Sequence, residues 1–375
     1  MRLKKLMAEK EIIVCCGAGG VGKTTVSASL ALSAAVSGKK VLVCTIDPAK
    51  RLADSLGLTE LGNSETRISA DVFEKAGIEP AGELWGMMLD SKTTFDELIL
   101  RIAPTPEAGA RILANSFYQN ITTALAGSQE FSATEKLFEL AGRRQYDLIV
   151  LDTPPTRHAL DFLDAPTRLT AFLDARVIQW FVKPYLSAGK AGFKFINSSA
   201  QMMFRLLEKA TGHQTMADIA DFFLVFEGLT DGFRARAAKV RALMSSPVTA
   251  FVLVTSPQSP SLMEARYFLE RLVAENMPLG EVVFNRVCFP PTDLSAETVT
   301  ALGREACAAL PRHEQTIKAL VANLRLSMVL AEADKRSVRR FLAEAGDGVG
   351  DVRIPHLKTD VHDLAGLWEI AKYLV

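Results

Sequence analysis

The chain has 375 residues with 43 basic and 43 acidic side chains, so its formal net charge is zero. A balanced chain carries no global field that draws it to nucleic acid or to an anionic membrane, and no nucleic-acid partner is expected. The length allows one large domain or two, and 49% hydrophobic residues supply an ordinary globular core with apolar surface left over for a partner.

Residues 1–10 are charged and lack the apolar stretch of a signal peptide. No uncharged apolar run reaches the roughly 20 residues of a membrane helix, so the reading is cytoplasmic. Ile12-Ile13-Val14-Cys15-Cys16 predicts a buried strand, and Val26 to Val36, stopped by Gly38, predicts a helix. Between them lies Cys16-Gly17-Ala18-Gly19-Gly20-Val21-Gly22-Lys23-Thr24-Thr25. The spacing Gly17-x4-Gly22-Lys23-Thr24, between strand and helix, is that of a phosphate-binding loop. Backbone N–H groups must wrap several phosphates there, and glycines allow the close approach and the positive φ angles this needs. The helix that follows turns free N–H groups and its positive dipole end toward the anion. Gly17, Ala18, Gly19, Gly20, Val21, Gly22, Lys23, Thr24 and Thr25 are therefore candidate ligand-binding residues. Lys23 is expected to reach the β- and γ-phosphates and Thr24 to ligate Mg²⁺.

The next strand, Val41 to Ile46, delivers Asp47-Pro48-Ala49 to the sheet edge where open α/β sheets bind ligands. Asp47 reads equally as the group that orients an attacking water and as a helix N-cap before Pro48. A late strand is expected over Leu84–Asp90, and helices from about 92 to 145. Asp147 to Leu151 is the clearest strand, and it ends in Asp152-Thr153-Pro154-Pro155-Thr156-Arg157-His158. An aspartate closing an apolar strand downstream of a phosphate loop is a Walker B arrangement, which places Asp152 at the Mg²⁺. Helices return from about 166 to 245. They carry an apolar and aromatic block that includes Trp180, Phe181, Tyr185, Phe193, Met202, Met203 and Phe204. Such residues suit adaptable binding, and they equally suit an ordinary core or a dimer contact. The sheet resumes at Thr249–Thr255 and at the strand holding Asn285; helices fill 294–345; Asp351–Pro355 is a last strand and Leu364–Leu374 a closing helix. Five cysteines and five histidines show no metal or disulfide spacing, which reads as free thiols in a reducing compartment.

Together the glycine loop, the Asp47-Pro48-Ala49 segment and Asp152-Thr153-Pro154-Pro155-Thr156-Arg157-His158 resemble the ArsA family, which includes the arsenite-pump ATPase and ATPases that guide tail-anchored membrane proteins. The likeness extends to bacterial single-domain members. It implies a doubly wound, mostly parallel α/β sheet of the P-loop NTPase kind, one ATPase domain over 1–375, with a helical subdomain inserted at about 92–145 and 166–245. It implies ATP and Mg²⁺ as cofactors, with Asp47 and Lys23 catalytic, and Thr24 and Asp152 at the metal. Asn285 matches the family's adenine reader, and Ile354-Pro355-His356-Leu357 matches the loop on base and ribose. A homodimer or a heterodimer with a related ATPase is implied, opening and closing with nucleotide, with hydrophobic membrane-protein clients and membrane association only through a partner. The alternative is a weakly hydrolysing scaffold subunit of a hetero-oligomer; an arsenite pump is disfavoured because its cysteine triplet has no counterpart. Ala18 stands where the family usually carries a lysine that reaches across the dimer. Arg157 is a substitute cation or a surface ion-pair partner.

Overall fold

The computed structural model describes residues 2–46, 51–58, 60–125, 129–153, 218–219, 221–223, 225–226, 228–346, 348–357 and 359–375. Its strands are β1 (Ile12–Cys16), β2 (Lys40–Thr45), β3 (Thr66–Arg67), β4 (Glu83–Met88), β5 (Leu148–Asp152), β6 (Thr249–Thr255), β7 (Leu279–Val287) and β8 (Asp351–Pro355). They form one sheet in the order β3-β4-β2-β5-β1-β6-β7-β8. Every neighbouring pair is parallel except β3–β4, which is antiparallel. A parallel sheet must be covered on both faces, and the fully buried runs of β1, β5 and β6 fit that requirement.

Alternate residues of β1 feed two cores. Ile13 and Cys15 join one face with α2 (Lys23–Val36), while Ile12, Val14 and Cys16 join the other. The small residues of α2, such as Ala28, Ala31 and Ala35, let the closing helix Leu364–Leu374 approach through Leu367, Ile370 and Leu374. On the same face stand the N-terminal helix α1 (Arg2–Glu9), α3 (Arg51–Ser55) and α4 (Ala70–Lys75), through Leu3, Leu52 and Phe73.

Helices α5 (Ser91–Ile102), α6 (Pro106–Ala114), α7 (Ser116–Leu125) and α8 (Gln129–Arg143) follow β4, and α9 (Thr230–Met244) precedes β6. Phe95, Leu98 and Ile99 of α5 pack with Tyr118, Phe222, Phe226 and Phe233 into a third apolar cluster. Beside it, Glu135 of α8 is 1% exposed and accepts two bonds from Arg236 Nε, 2.8 and 2.7 Å to its two oxygens. The Arg236 guanidinium also lies 4.2 Å from the centre of the Phe138 ring. Burial raises the Glu135 pKa and the arginine pairing opposes it. The apolar block from Val177 to Leu206 lies outside the described residues.

The second face is closed by α8, α9, α10 (Ser259–Ala274) and the C-terminal half of α12 (Glu314–Ala345), which forms a hairpin with α11 (Ala296–Ala309). α13 (Leu364–Leu374) ends the chain. Among the described residues no helix is long and apolar enough to cross a membrane.

Candidate functional site

The loop after β1 owes its path to two glycines. Gly17 has φ +148°, and a Cβ there would sit 1.9 Å from the Val254 carbonyl oxygen. Gly22, which precedes α2, has φ +91°, and its Cβ would meet Asn285 Nδ2 at 2.2 Å. No side chain fits either place without moving backbone or a neighbour. Ala18 and Val21 turn inward and are buried, whereas Gly19 and Gly20 face out. Lys23 is the first residue of α2 and is 6% exposed. Its Nζ folds back over the loop and donates to the Ala18 carbonyl at 2.8 Å.

Strand register supplies the second half of the site. Thr45 and Asp152 are paired at the ends of β2 and β5, and Cys15 of β1 also pairs with Asp152. Asp152 is 1% exposed, and its Oδ2 accepts from Thr24 Oγ1 at 2.7 Å and from Thr45 Oγ1 at 3.0 Å. Ser27 Oγ donates to the Lys23 carbonyl at 2.8 Å and lies 3.5 Å from Asp152 Oδ1. Thr153 Oγ1 donates to the Cys15 carbonyl at 2.9 Å. One carboxylate thus ties the glycine loop to the ends of two strands. Thr45 is a residue that motif reading missed; its only sequence signal is its place at the end of an apolar strand, and its partner becomes visible once β2 pairs with β5.

Asn285 comes from β7, two positions before the strand ends. Its Nδ2 donates to the Val21 carbonyl at 2.8 Å, and its Oδ1 accepts from the Arg286 amide at 2.9 Å. These bonds fix the orientation of the side-chain amide. Among the described residues they leave one N–H and one oxygen lone pair, a donor and an acceptor on one amide. The same side chain braces the loop against β7.

A cavity of about 730 Å³ joins these parts. Gly20, Gly22, Lys23, Thr24 and Thr25 line it, with Arg51, Thr153, Asn285, Arg286, Pro355, His356 and Asp360. That volume suits a ligand the size of a nucleotide. Asp152 stands behind Thr24 rather than in the wall. Asp47 and Arg157 lie outside the described residues. A cradle whose glycines a Cβ would fill suits a phosphate chain, and a hydroxyl beside a carboxylate is a hard-oxygen donor set that suits Mg²⁺.

The sequence profile of the ArsA_ATPase family, described as anion-transporting ATPase, matches residues 10–302. The chain belongs to the ArsA ATPase family. As a member it is a nucleotide-binding ATP hydrolase. It is similar to ATPase GET3 of Malassezia globosa, 26% identical over 298 residues that cover 79% of this chain and 78% of that protein. ATPase ASNA1 homolog 1 of Paramecium tetraurelia is 28% identical over 276 residues, 73% of this chain and 74% of that one. ATPase ARSA2 of Chlamydomonas reinhardtii is 28% identical over 293 residues, 77% and 71% respectively.

The cysteines of this ArsA-family chain divide by burial. Cys15, Cys16 and Cys44 are buried in β1 and β2, while Cys288 and Cys307 are partly exposed. Desolvation pushes the Cys15 and Cys44 thiols far up and Cys16 up to about 12. At neutral pH these three hold almost no thiolate, the reactive form. A maleimide pulse on the folded protein is therefore expected to label Cys288 and Cys307 and spare the other three until denaturant is added. Rapid native labelling of Cys16 by peptide mass mapping would contradict the placement of β1.

Proposed function

We propose that the protein runs a Mg²⁺-dependent ATPase cycle that opens and closes a dimer and thereby binds or targets hydrophobic membrane-protein clients. The observation that carries the reading is the shared Asp152 carboxylate. It receives one hydroxyl from the phosphate loop and one from the end of β2, and it ends β5 itself. The chain leaving β2 carries Asp47, and the chain leaving β5 leads into the apolar and aromatic block. A change at the phosphates therefore has a short hydrogen-bonded route to the ends of β2 and β5, from which the two segments leave.

In this reading the loop amides and Lys23 hold the triphosphate and stabilise charge on the transferring group. Thr24 and Asp152 would hold Mg²⁺, which when bound would supply positive charge to neutralise that of the phosphates. Asp47 positions the water. Asn285 and Pro355 hold the base, with Asn285 keeping the loop in register. The resemblance to ATPases that guide tail-anchored proteins supports the client assignment, and so does the apolar block.

A second reading is favoured by Ala18. With no lysine at that position, this chain is a slow subunit that borrows a cation from a related ATPase. Phosphate release by the purified chain, alone and mixed with candidate partner ATPases, separates the two. Turnover by the chain alone that falls in Asp47→Asn supports the first reading; turnover only in a mixture supports the second. Client capture is tested by co-expressing the chain with a tagged single-span membrane protein. Retention by Asp47→Asn with ATP and release by the parent protein is expected. Equal recovery with and without nucleotide would sink the targeting role.

A further inference from the structure

Six of the large apolar side chains left exposed sit on one hairpin: Leu302, Leu310, Leu320, Leu326, Val329 and Leu330. The hairpin is α11, the turn Pro311–His313 and the N-terminal half of α12. Its inner seam is tight, since a Cβ on Gly303 would lie 2.5 Å from Val321 Cγ2. The C-terminal half of α12 anchors it to the sheet through Ala331, Val338 and Phe341, with Phe341 edge-on to Phe284 at 5.6 Å. The outer face of α12 carries a second seam. Ala319, Ala322, Leu326, Val329 and Ala333 recur at alternating steps of three and four, and all five are exposed. Leu326 is 58% and Val329 62% exposed. That is the spacing with which one helix receives another.

The flanks of the seam choose the occupant. Arg325 and Glu332 stand seven residues apart on one flank, both exposed, and the other flank carries Asn323 and Leu330. A lipid surface favours lysine and arginine along the polar face, which Glu332 and the uncharged second flank do not offer. Opposite charges one heptad apart on a single flank match an antiparallel copy of themselves. Lys318, on the same flank, is held by Glu314 at 2.6 Å, whereas the ion pair of Glu332 with Lys335 is a long, exposed one at 3.9 Å that Glu332 can exchange for Arg325 of a second copy.

We propose that this seam of α12 pairs antiparallel with the same seam of a second copy of the chain, so that two hairpins form a four-helix bundle. Leu326 then faces Val329 of the second copy, and Ala322 faces Ala333. Arg325 meets Glu332 of the second copy, and two-fold symmetry repeats every contact. The paired stretch is about 22 Å of helix, which is short for a permanent complex, so the association is weak and concentration-dependent. It uses α12 rather than the strand-end edge, so it needs no nucleotide and stands or falls apart from the proposed ATP cycle.

Sedimentation velocity of the full chain without nucleotide, over a wide concentration range, tests it. A monomer–dimer equilibrium is expected. Leu326→Glu with Val329→Glu is expected to abolish this nucleotide-independent, concentration-dependent step, with an unchanged melting temperature because both sites are exposed. Arg325→Glu and Glu332→Arg are each expected to weaken the dimer about tenfold, since each turns two attractions into repulsions. The two together restore it. A chain that is monomeric at every concentration overturns the proposal, as does a dimer indifferent to the leucine and valine changes. Failure of the double charge exchange to restore association also overturns it.

Discussion

Lys23→Ala is expected to lower ATP turnover by about 10²–10³-fold, the scale on which removal of one preorganised charge donor acts. The ammonium is in place before any phosphate arrives. Lys23 is 6% exposed, it starts α2, and its Nζ rests 2.8 Å from the Ala18 carbonyl, inside the curve of the loop. A charge-assisted bond from an ammonium to a phosphate oxygen is stronger than one to a neutral carbonyl, so an arriving phosphate can take the Lys23 ammonium from Ala18. The fold tolerates the change, because the vacated volume opens onto the cavity that Lys23 lines and water can reach the Ala18 carbonyl. Phosphate release and calorimetric titration with ATP measure the effect, and thermal melting checks the fold. Turnover within a few-fold of the parent protein, at an unchanged melting temperature, would remove Lys23 from the chemistry.

The parts of this site that could be read from sequence are those whose geometry is local. Gly17, Gly22, Lys23 and Thr24 lie within eight residues, and the backbone constraint that makes them glycines or donors acts over the same span. Asp152 was legible because it closes an apolar run. Thr45 was not, because a threonine at the end of a strand takes its meaning from β5, more than a hundred residues away in the chain. Asn285 was assigned to adenine by resemblance; its bond to the Val21 carbonyl, which braces the loop, depends on the close approach of β7 to Gly22. The parallel core strands follow from continuous apolar runs, whereas the two-residue β3 has too little sequence to show any period. In α12 the buried side changes along the helix, from Ile317, Val321, Leu324 and Met328 to Ala331, Val338 and Phe341. Val321 of the first, half-buried group packs on Gly303 of α11, while Val338 and Phe341 join the core on the sheet, so a single stripe fitted to the whole helix blurs both.

Asp152→Asn is expected to weaken ATP binding about 10- to 100-fold when Mg²⁺ is present and to leave it nearly unchanged in excess chelator. The split follows from position. Asp152 lies behind Thr24 and does not line the cavity, so it has no direct claim on the nucleotide. Its negative charge is 1% exposed and is placed to favour a divalent cation beside the Thr24 hydroxyl. Asparagine keeps the shape and an acceptor for Thr24 and Thr45 but removes that charge. A graded companion is Thr45→Val, which leaves the carboxylate in place and removes the Thr45 hydroxyl from Oδ2. A lost bond of this kind shifts an equilibrium by a factor of about three to ten, and Thr45→Ser should recover most of it. Calorimetry with ATP, run with Mg²⁺ and then with chelator, reads all three variants. Equal loss under both conditions would mean that Asp152 only props up the loop. Loss in Mg²⁺ alone, ordered Asp152→Asn, then Thr45→Val, then Thr45→Ser, is the signature of a carboxylate that holds the ion and is itself held by the end of β2.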